Sequence, residues 1–591
     1  VGLKVIKKII SGNQAISIGA YKGNARFGSG YPGTPSSEIL EHFKNYPNVV
    51  AQWAPNEKAG FEAALGASIA GTRSFATMKH VGLNVAADPL MTASYTGVNA
   101  GFVVVTADDP GMHSSQNEQD NRRYAKFAKV PLIEPSDPFE AMAFMQYAFV
   151  VSEKFDTPVI LRSTTRISHS LGVVQFDPRT LDNEQDLKLQ KDFRKYVMIP
   201  ANAIVRHKVV LDRLEKLKAF SNETPINKIE NGKTNFGIIT SSMAYNYVKE
   251  LLPDAHVFKV GFSYPMPIEK IREFVNKFDR VVVVEELEPF MEEELKIAGI
   301  NVEGKKYFPF DGEFNLDIVE EGLKKAGLIR EESTKVVFNE FELPKRPPAL
   351  CPGCPHRPIF DILHSLGRDI FITGDIGCYT LGCLPPLSAM HTTVCMGASI
   401  SMGVGASKVQ NEQKVVAVIG DSTFFHTGIQ PLIDAYINNA NMTVIILDNR
   451  ITAMTGGQPD PGSGFTLKGE SVKPIRIYDL VKSIGIERVY EVDQYDYEST
   501  KKLLKEEINK PGLSVIIPTR PCVLAPKKIK DTPLVVVPDK CVGCKRCLRI
   551  ACPAIDFKNN KAIIDEVLCT GCEVCMHVCP IEGAIVKKEE K

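Results

Sequence analysis

The eight cysteines between Cys541 and Cys579 restrict this chain more than any other feature. They fall into two runs, Cys541-x2-Cys544-x2-Cys547-x4-Cys552-Pro and Cys569-x2-Cys572-x2-Cys575-x3-Cys579-Pro. Partners only three residues apart suit a shared metal centre better than a cross-linked secreted framework. The tail therefore has to fold around metal, and its cysteine usage argues for a reducing compartment. Zinc is the competing metal, but zinc sites seldom use three evenly spaced cysteines followed by Cys-Pro.

The full length of 591 residues leaves room for about four domains, each with its own core. Charge is balanced, 70 basic against 70 acidic residues, so nothing favours a nucleic acid or another polyanion as partner. No apolar run reaches the roughly 18 residues of a membrane span, and the first residues lack a signal-peptide cleavage pattern. A soluble, cytoplasmic chain with no membrane contact is expected. Its segments read as 1–190, 191–345, 346–530 and 531–591.

Residues 1–190 alternate apolar runs (AISIGA, SFATM, FVVVTA, TPVILR) with helical stretches such as NEKAGFEAALGASIAG and DPFEAMAFMQYAFVVSEKF. Such alternation predicts a parallel sheet covered on both faces. DNEQDLKLQKDFRKY and VLDRLEKLKAF read as helices, NETPINKIENGKTN as a loop, and PKRPP (344–348) as a stiff linker. A second α/β unit is expected over about 235–340. The expected fold class is α/β, with several doubly wound parallel-sheet domains and a small cysteine-rich C-terminal domain.

The stretch from Gly420 to Gln458 carries the clearest chemistry outside the tail. VVAVIG stops at Asp421, and TVIILD stops at Asp448 and Asn449. Ligands of open parallel sheets gather beyond the carboxyl ends of strands, and a hard cation bridging phosphates wants one or two protein oxygens there. These strand ends describe a magnesium-diphosphate seat; the plainer reading is a doubly wound pair that merely ends in polar residues. YPGTPSSE is open in the same way, because Thr34, Ser36 and Ser37 could simply cap a helix. Glu57 could do no more than favour its helix dipole. Lys79, His80 and His113 lie where active-site loops should be, although each alone is more often a surface residue. Cys351-x2-Cys354 suits a redox pair, a zinc half-site or a cluster half-site, and Cys383 and Cys395 read as buried small hydrophobes.

Gly420-Asp421 followed by Asn449 resembles the thiamine diphosphate motif, with Ser422 in place of its last Gly and Asp448 preceding the Asn. Asn449 to Gln458, containing TGGQ, is similar to the corresponding loop of the 2-oxoacid:ferredoxin oxidoreductases, and YPGTPSS to their YPxTPSS element. The resemblance implies that Asp421, the Asn449 amide and the Ile451 carbonyl bind magnesium, while Gly420 and Ser422 admit the diphosphate. It implies that Thr34 faces substrate and that Glu57, with Glu62 as runner-up, is the carboxyl bonded to the aminopyrimidine ring. It also implies a proximal 4Fe–4S cluster on Cys351, Cys354, Cys378 and Cys522, against the alternative of isolated thiols lining the cofactor pocket. Pyruvate-type relatives carry an Arg after the Thr-Ala that ends one strand, whereas Thr106-Ala107 is followed by Asp108 and Asp109. Their carboxylate clamp fails here.

The tail resembles a two-cluster bacterial ferredoxin, in which the fourth Cys of each run ligates the other cluster. One 4Fe–4S cluster then takes Cys541, Cys544, Cys547 and Cys579, and the other takes Cys569, Cys572, Cys575 and Cys552. The first run carries one extra residue before its last Cys.

Thiamine-enzyme domains at 1–190 (pyrimidine) and 346–530 (diphosphate), a transketolase C-terminal-like domain within 191–345 and a ferredoxin module at 531–591 are thus implied. No segment is left for the gamma domain of pyruvate-type enzymes. This order is similar to the alpha subunits of the indolepyruvate-type branch, where a small beta subunit completes a heterotetramer. The implied reaction is oxidative decarboxylation of indolepyruvate, phenylpyruvate or hydroxyphenylpyruvate with coenzyme A, electrons passing to an external ferredoxin. A branched-chain oxoacid or pyruvate is the rival substrate. A non-oxidative thiamine decarboxylase would have no use for the clustered cysteines, and a pure electron carrier would need only the tail.

Overall fold

The computed structural model describes residues 5–178, 191–329, 348–367, 369–409, 414–525 and 531–588. Residues 182–190 of the expected linker helix and 344–347 of PKRPP lie outside these. The chain divides into two compact units, Val1–Phe338 and Asn339–Lys591.

Unit 1 is built on a seven-stranded sheet ordered Phe262–Tyr264, Leu132–Ile133, Val159–Thr164, Phe102–Asp108, Ser74–Lys79, Phe27–Gly30, Val50–Trp53. Every pair is parallel except the first. The Ser74–Lys79, Phe102–Asp108 and Val159–Thr164 strands are buried along their whole length, as strands covered on both faces must be. A four-stranded sheet follows, ordered Val281–Val284, Gly237–Ser241, His256–Val260, Lys228–Glu230. The last of these falls inside a segment expected to be a loop. One core runs from Phe61, Phe102 and Leu132 to Phe258, Val260 and Phe290, so the two sheets of unit 1 are packed together.

AISIGA is not a strand. It lies in the helix Gly12–Lys22, because Ser11 accepts from the Gln14 N–H while the Gln14 side chain accepts from the Ser11 N–H, a reciprocal cap that starts a helix there. The strand precedes it, at Ile6–Ser11, paired antiparallel with Leu171–Phe176.

Unit 2 holds an all-parallel sheet ordered Ile370–Thr373, Lys414–Gly420, Met442–Leu447, Ser514–Pro518, Val489–Val492. The cysteine-rich tail adds two antiparallel pairs, Leu534–Val536 with Ile585–Lys587 and Ile555–Lys558 with Lys561–Ile564. It does not have a core to itself: a single cluster joins Phe360, Leu447 and Ile516 of the sheet domain to Cys547, Cys569, Cys575 and Ile585 of the tail. Among the described residues no helix is long and apolar enough to cross a membrane.

Cys383 and Cys395 are exposed, contrary to expectation. The turn Cys378–Cys383 buries Tyr379 and Gly382 and leaves its last residue outward, and Cys395 ends an exposed stretch, Thr393–Cys395.

Candidate functional site

In unit 1 the sequence-selected residues gather at the carboxyl ends of the parallel strands. Glu57 opens the helix Glu57–Ile69, whose first turn is fixed by Asn56 Oδ1 accepting from the Ala59 N–H at 2.9 Å. Its side chain is buried and packed against Gly82, where a Cβ would stand 2.6 Å from Glu57 Cγ. Glu62 lies exposed on the same helix, ion-paired with Lys58, so it is a helix-face residue.

Thr34 is half-buried, and its carbonyl accepts from Ser114 Oγ at 3.5 Å. The serines beside it bind the turn more than the helix: Ser36 Oγ donates to Gly33 O and Ser37 Oγ accepts from Gly33 N–H, both at 2.9 Å. Lys79 and His80 are buried, not surface residues. Lys79 Nζ donates to the Ser114 carbonyl, and burial draws its pKa down to about 8, with Asp109 opposing. His113 stays exposed and pairs with Glu313 at 3.3 Å.

Asp108, which follows Thr106-Ala107, is fully buried and accepts from Arg162 Nε at 2.6 Å and from the Asn121 N–H at 3.1 Å. Asp109 instead organises the following loop, accepting from Ser114 N–H at 2.9 Å and Thr165 Oγ1 at 2.7 Å.

In unit 2, Asp421 follows strand Lys414–Gly420, and Asp448 and Asn449 follow the neighbouring strand Met442–Leu447. Asp421 is 3% exposed and accepts from the N–H groups of Ser422 (2.8 Å), Asn449 (2.9 Å) and Arg450 (2.6 Å). Asn449 Oδ1 accepts from the Ile451 N–H at 3.1 Å, and its Nδ2 lies 3.2 Å from His356 Nε2. Gly420 is required by Tyr379, since a Cβ would stand 2.5 Å from that ring.

The TGGQ loop folds back through Thr452 N–H to Gln458 O (2.9 Å), which delivers Asp460 to the same place. Burial raises the pKa of Asp421, and Asp460 and Asp448 push it further. Buried carboxylates that raise one another call for a cation, and an Asp, an Asn amide and a backbone carbonyl are hard oxygen donors. The residues present therefore fit a divalent ion bridging a diphosphate. Asp460 escaped the sequence reading, because only the loop closure brings it near Asp421.

The remaining cysteines sort into quartets. Burial pushes the Cys354 thiol up to about 12, and Cys351 and Cys378 push the same way. Cys378 is raised to about 11 by burial, then by Cys522 and Cys351. In the tail, Cys547 is raised by burial and then by Cys579, Cys541 and Cys544, and Cys575 by burial and then by Cys572, Cys552, Cys569 and, across the two runs, Cys547. Cys541, Cys544, Cys547 and Cys579 line one small cavity with Phe557 and Ile585.

Three of these loops share a Cys-x-Gly-Cys turn, and Gly353, Gly543 and Gly571 all adopt positive φ (66°, 70° and 75°), which glycine tolerates best. The extra residue of the first run is taken up by Ala551, at φ 55° after the 3-10 turn Arg546–Ile550. Among the described residues no three His, Cys, Asp or Glu side chains close around a point that would hold a single ion. Cys-x2-Cys-x2-Cys runs closed by Cys-Pro carry the thiol donors that a 4Fe–4S cluster takes.

The quartet of Cys351, Cys354, Cys378 and Cys522 adjoins the Asp421 seat. Cys522 N–H donates to the Asn449 carbonyl at 3.0 Å, and Asp421 raises the Cys522 thiol after burial and Cys351 have done so.

A family model described as "Thiamine pyrophosphate enzyme, C-terminal TPP binding domain" matches residues 375–517. Another, "Pyruvate flavodoxin/ferredoxin oxidoreductase, thiamine diP-bdg", matches residues 18–216. The indolepyruvate oxidoreductase subunit IorA of Methanothermobacter thermautotrophicus is 41% identical, covering 98% of this chain and 97% of its own. That of Pyrococcus abyssi is 42% identical, covering 97% and 96%. The 2-oxoacid:ferredoxin oxidoreductase subunit beta of Saccharolobus solfataricus is 27% identical over 29% of this chain and 61% of its own.

Proposed function

The chain belongs to the family of indolepyruvate oxidoreductase IorA subunits, and from that membership we propose that it decarboxylates aryl pyruvates oxidatively to aryl-acetyl-CoA and CO2. The observation that supports this reading is the hydrogen bond from the Cys522 N–H to the Asn449 carbonyl, since a cluster held in part by Cys522 would then lie beside a diphosphate held at Asn449. A non-oxidative decarboxylase has no need of that neighbour.

Bound thiamine diphosphate supplies the electron sink on which the substrate loses CO2. Asp421, Asn449 Oδ1 and the Ile451 carbonyl hold its magnesium, and Gly420 and Ser422 give the diphosphate close access to backbone. Glu57, shielded from water, holds the proton that the aminopyrimidine ring exchanges, and Thr34 orients the substrate. Cys351, Cys354, Cys378 and Cys522 hold the proximal 4Fe–4S cluster. The two tail quartets hold the clusters from which an external ferredoxin is reduced.

In this reading residues 1–190 serve the pyrimidine half of the cofactor, 346–530 the diphosphate half and 531–591 the electron exit, with 191–345 packing against the first. A small beta subunit completes an alpha2beta2 enzyme, and the reaction runs in the cytoplasm, where thiols stay reduced.

The test is anaerobic mixing of the chain and its beta partner, loaded with thiamine diphosphate, magnesium and coenzyme A, with indolepyruvate or with pyruvate. Visible bleaching and viologen reduction by indolepyruvate alone are expected. Bleaching by pyruvate alone would replace the substrate, and bleaching by neither would remove the proposed activity.

A further inference from the structure

Arg357, the last residue of CPGCPHR, is 3% exposed. No carboxylate pairs with it among the described residues. Its donors go to backbone carbonyls on both sides of a junction: Nε to Cys351 O at 3.1 Å and Nη2 to Leu350 O on one side, Nη1 to Ile550 O at 2.8 Å and to Ala551 O on the other. The charged groups that face it are cysteines of two different quartets, Cys552 and Cys572 from the tail and Cys351 and Cys354 from the proximal loop. A buried guanidinium without a counter-ion is strongly unfavourable. With the proposed clusters bound, the cysteines on either side would be thiolates and would supply the missing charge.

The two loops also interlock. A Cβ on Gly353 would stand 1.9 Å from Thr570 Oγ1, so the Cys351–Cys354 turn lies in van der Waals contact with the Cys569–Cys572 turn. Tyr495 donates to the Gly353 carbonyl and is covered by Arg520 at 4.0 Å. Both line a cleft of about 230 Å³ that reaches Cys522 and Cys572. Solvent and Arg520 thus serve one side of the junction, and the sealed side has Arg357 as its buried cation.

We propose that Arg357 is the positioning residue for electron transfer between the Cys351/Cys354/Cys378/Cys522 quartet and the Cys552/Cys569/Cys572/Cys575 quartet, fixing their separation and compensating the charge that passes. The inference rests on the cluster reading given under Proposed function. In each transfer the cluster of the first quartet is oxidised by one electron and that of the second is reduced by one; no bond forms or breaks and no proton moves. The electrons originate in the 2-oxoacid oxidation. The fixed charge of Arg357 favours the more reduced state of both quartets, and its carbonyl fork keeps them adjacent.

The experiment uses the anaerobic, iron-loaded chain with its partner subunit, as wild type, Arg357→Gln and Arg357→Lys. Iron per chain, midpoint potentials from an EPR-monitored redox titration and the spin coupling between clusters are measured. Arg357→Gln is expected to keep its iron while the potentials of these two quartets shift downward and the Cys541 quartet stays put. Arg357→Lys is expected to keep the potentials and weaken the spin coupling, because an ammonium retains the charge but not the planar fork.

Should Arg357→Gln not fold, the lysine variant carries the test alone, and unchanged coupling in it overturns the proposal. Full iron with unchanged potentials in Arg357→Gln overturns it as well. A wild-type chain whose iron fills only the two tail quartets overturns the reading of the proximal quartet, and the relay falls with it.

Discussion

Glu57 joins two requirements that rarely meet in one side chain: a carboxyl held away from water, and a position fixed by a capped helix start and by Gly82 against its Cγ. Glu57→Gln preserves shape and removes the titrating oxygen. We expect bleaching by 2-oxoacid to be abolished with iron content intact, and near-normal bleaching would take Glu57 out of the proposed chemistry. Glu286 offers a pH test in unit 1, which contains no cysteine. It is buried, accepts from the Phe314 N–H at 2.8 Å, and burial lifts its pKa from 4.5 to about 7. A carboxyl with a raised folded pKa contributes stability that is complete below about pH 4.5 and lost as pH rises through 7. Glu286→Gln should therefore stabilise unit 1 at pH 8, by about 3 kcal/mol at most, and leave it unchanged at pH 4.5. Trp53, the chain's one tryptophan, lies in unit 1 and reports its urea unfolding. The helix start at Glu57 was legible because a cap followed by a helical run is a local pattern. The burial of Lys79 and His80 and the exposure of Cys383 and Cys395 were not, because burial is decided by segments distant in sequence.

Arg122 links elements that the sequence places far apart. The guanidinium is 1% exposed and bonds Asp120 and, across to the end of strand Val281–Val284, Glu285, each at 2.6 Å. Burial disfavours its charge, and Asp120 and Glu285 more than restore it. Removing one member of such a group leaves buried charges without compensation, so Arg122→Met should destabilise unit 1 by about 3–5 kcal/mol, read again from Trp53. At this scale the buried strands and their polar ends were readable from local pattern, since each is a run of six or seven residues with a sharp stop. AISIGA was not, because an apolar run of that length is ambiguous until its cap is recognised. Asp460 and Arg357 were hidden for a related reason: each acquires its partners only when a loop or a neighbouring segment closes on it.

Twelve of the fourteen cysteines make up the three proposed quartets, and Cys522 is the member of the proximal one most remote in sequence from Cys351. Cys522→Ser should lower the iron bound per chain by about one third when all three quartets fill, and an unchanged iron count would show that the proximal cluster is not held as described. The continuity of one core from Phe360 and Leu447 into Cys547, Cys569 and Ile585 has a consequence for how such a protein matures. Where ligand binding and folding share a core, the free energy of inserting metal is also free energy of folding. A newly made chain deprived of iron would leave the wall behind its diphosphate seat unfinished and would be slow to retain a vitamin-derived coenzyme. In the proposed reading two nutrients would thereby be tied to one checkpoint, and scarcity of the metal alone would be enough to keep the coenzyme from being committed to an enzyme with no outlet for its electrons.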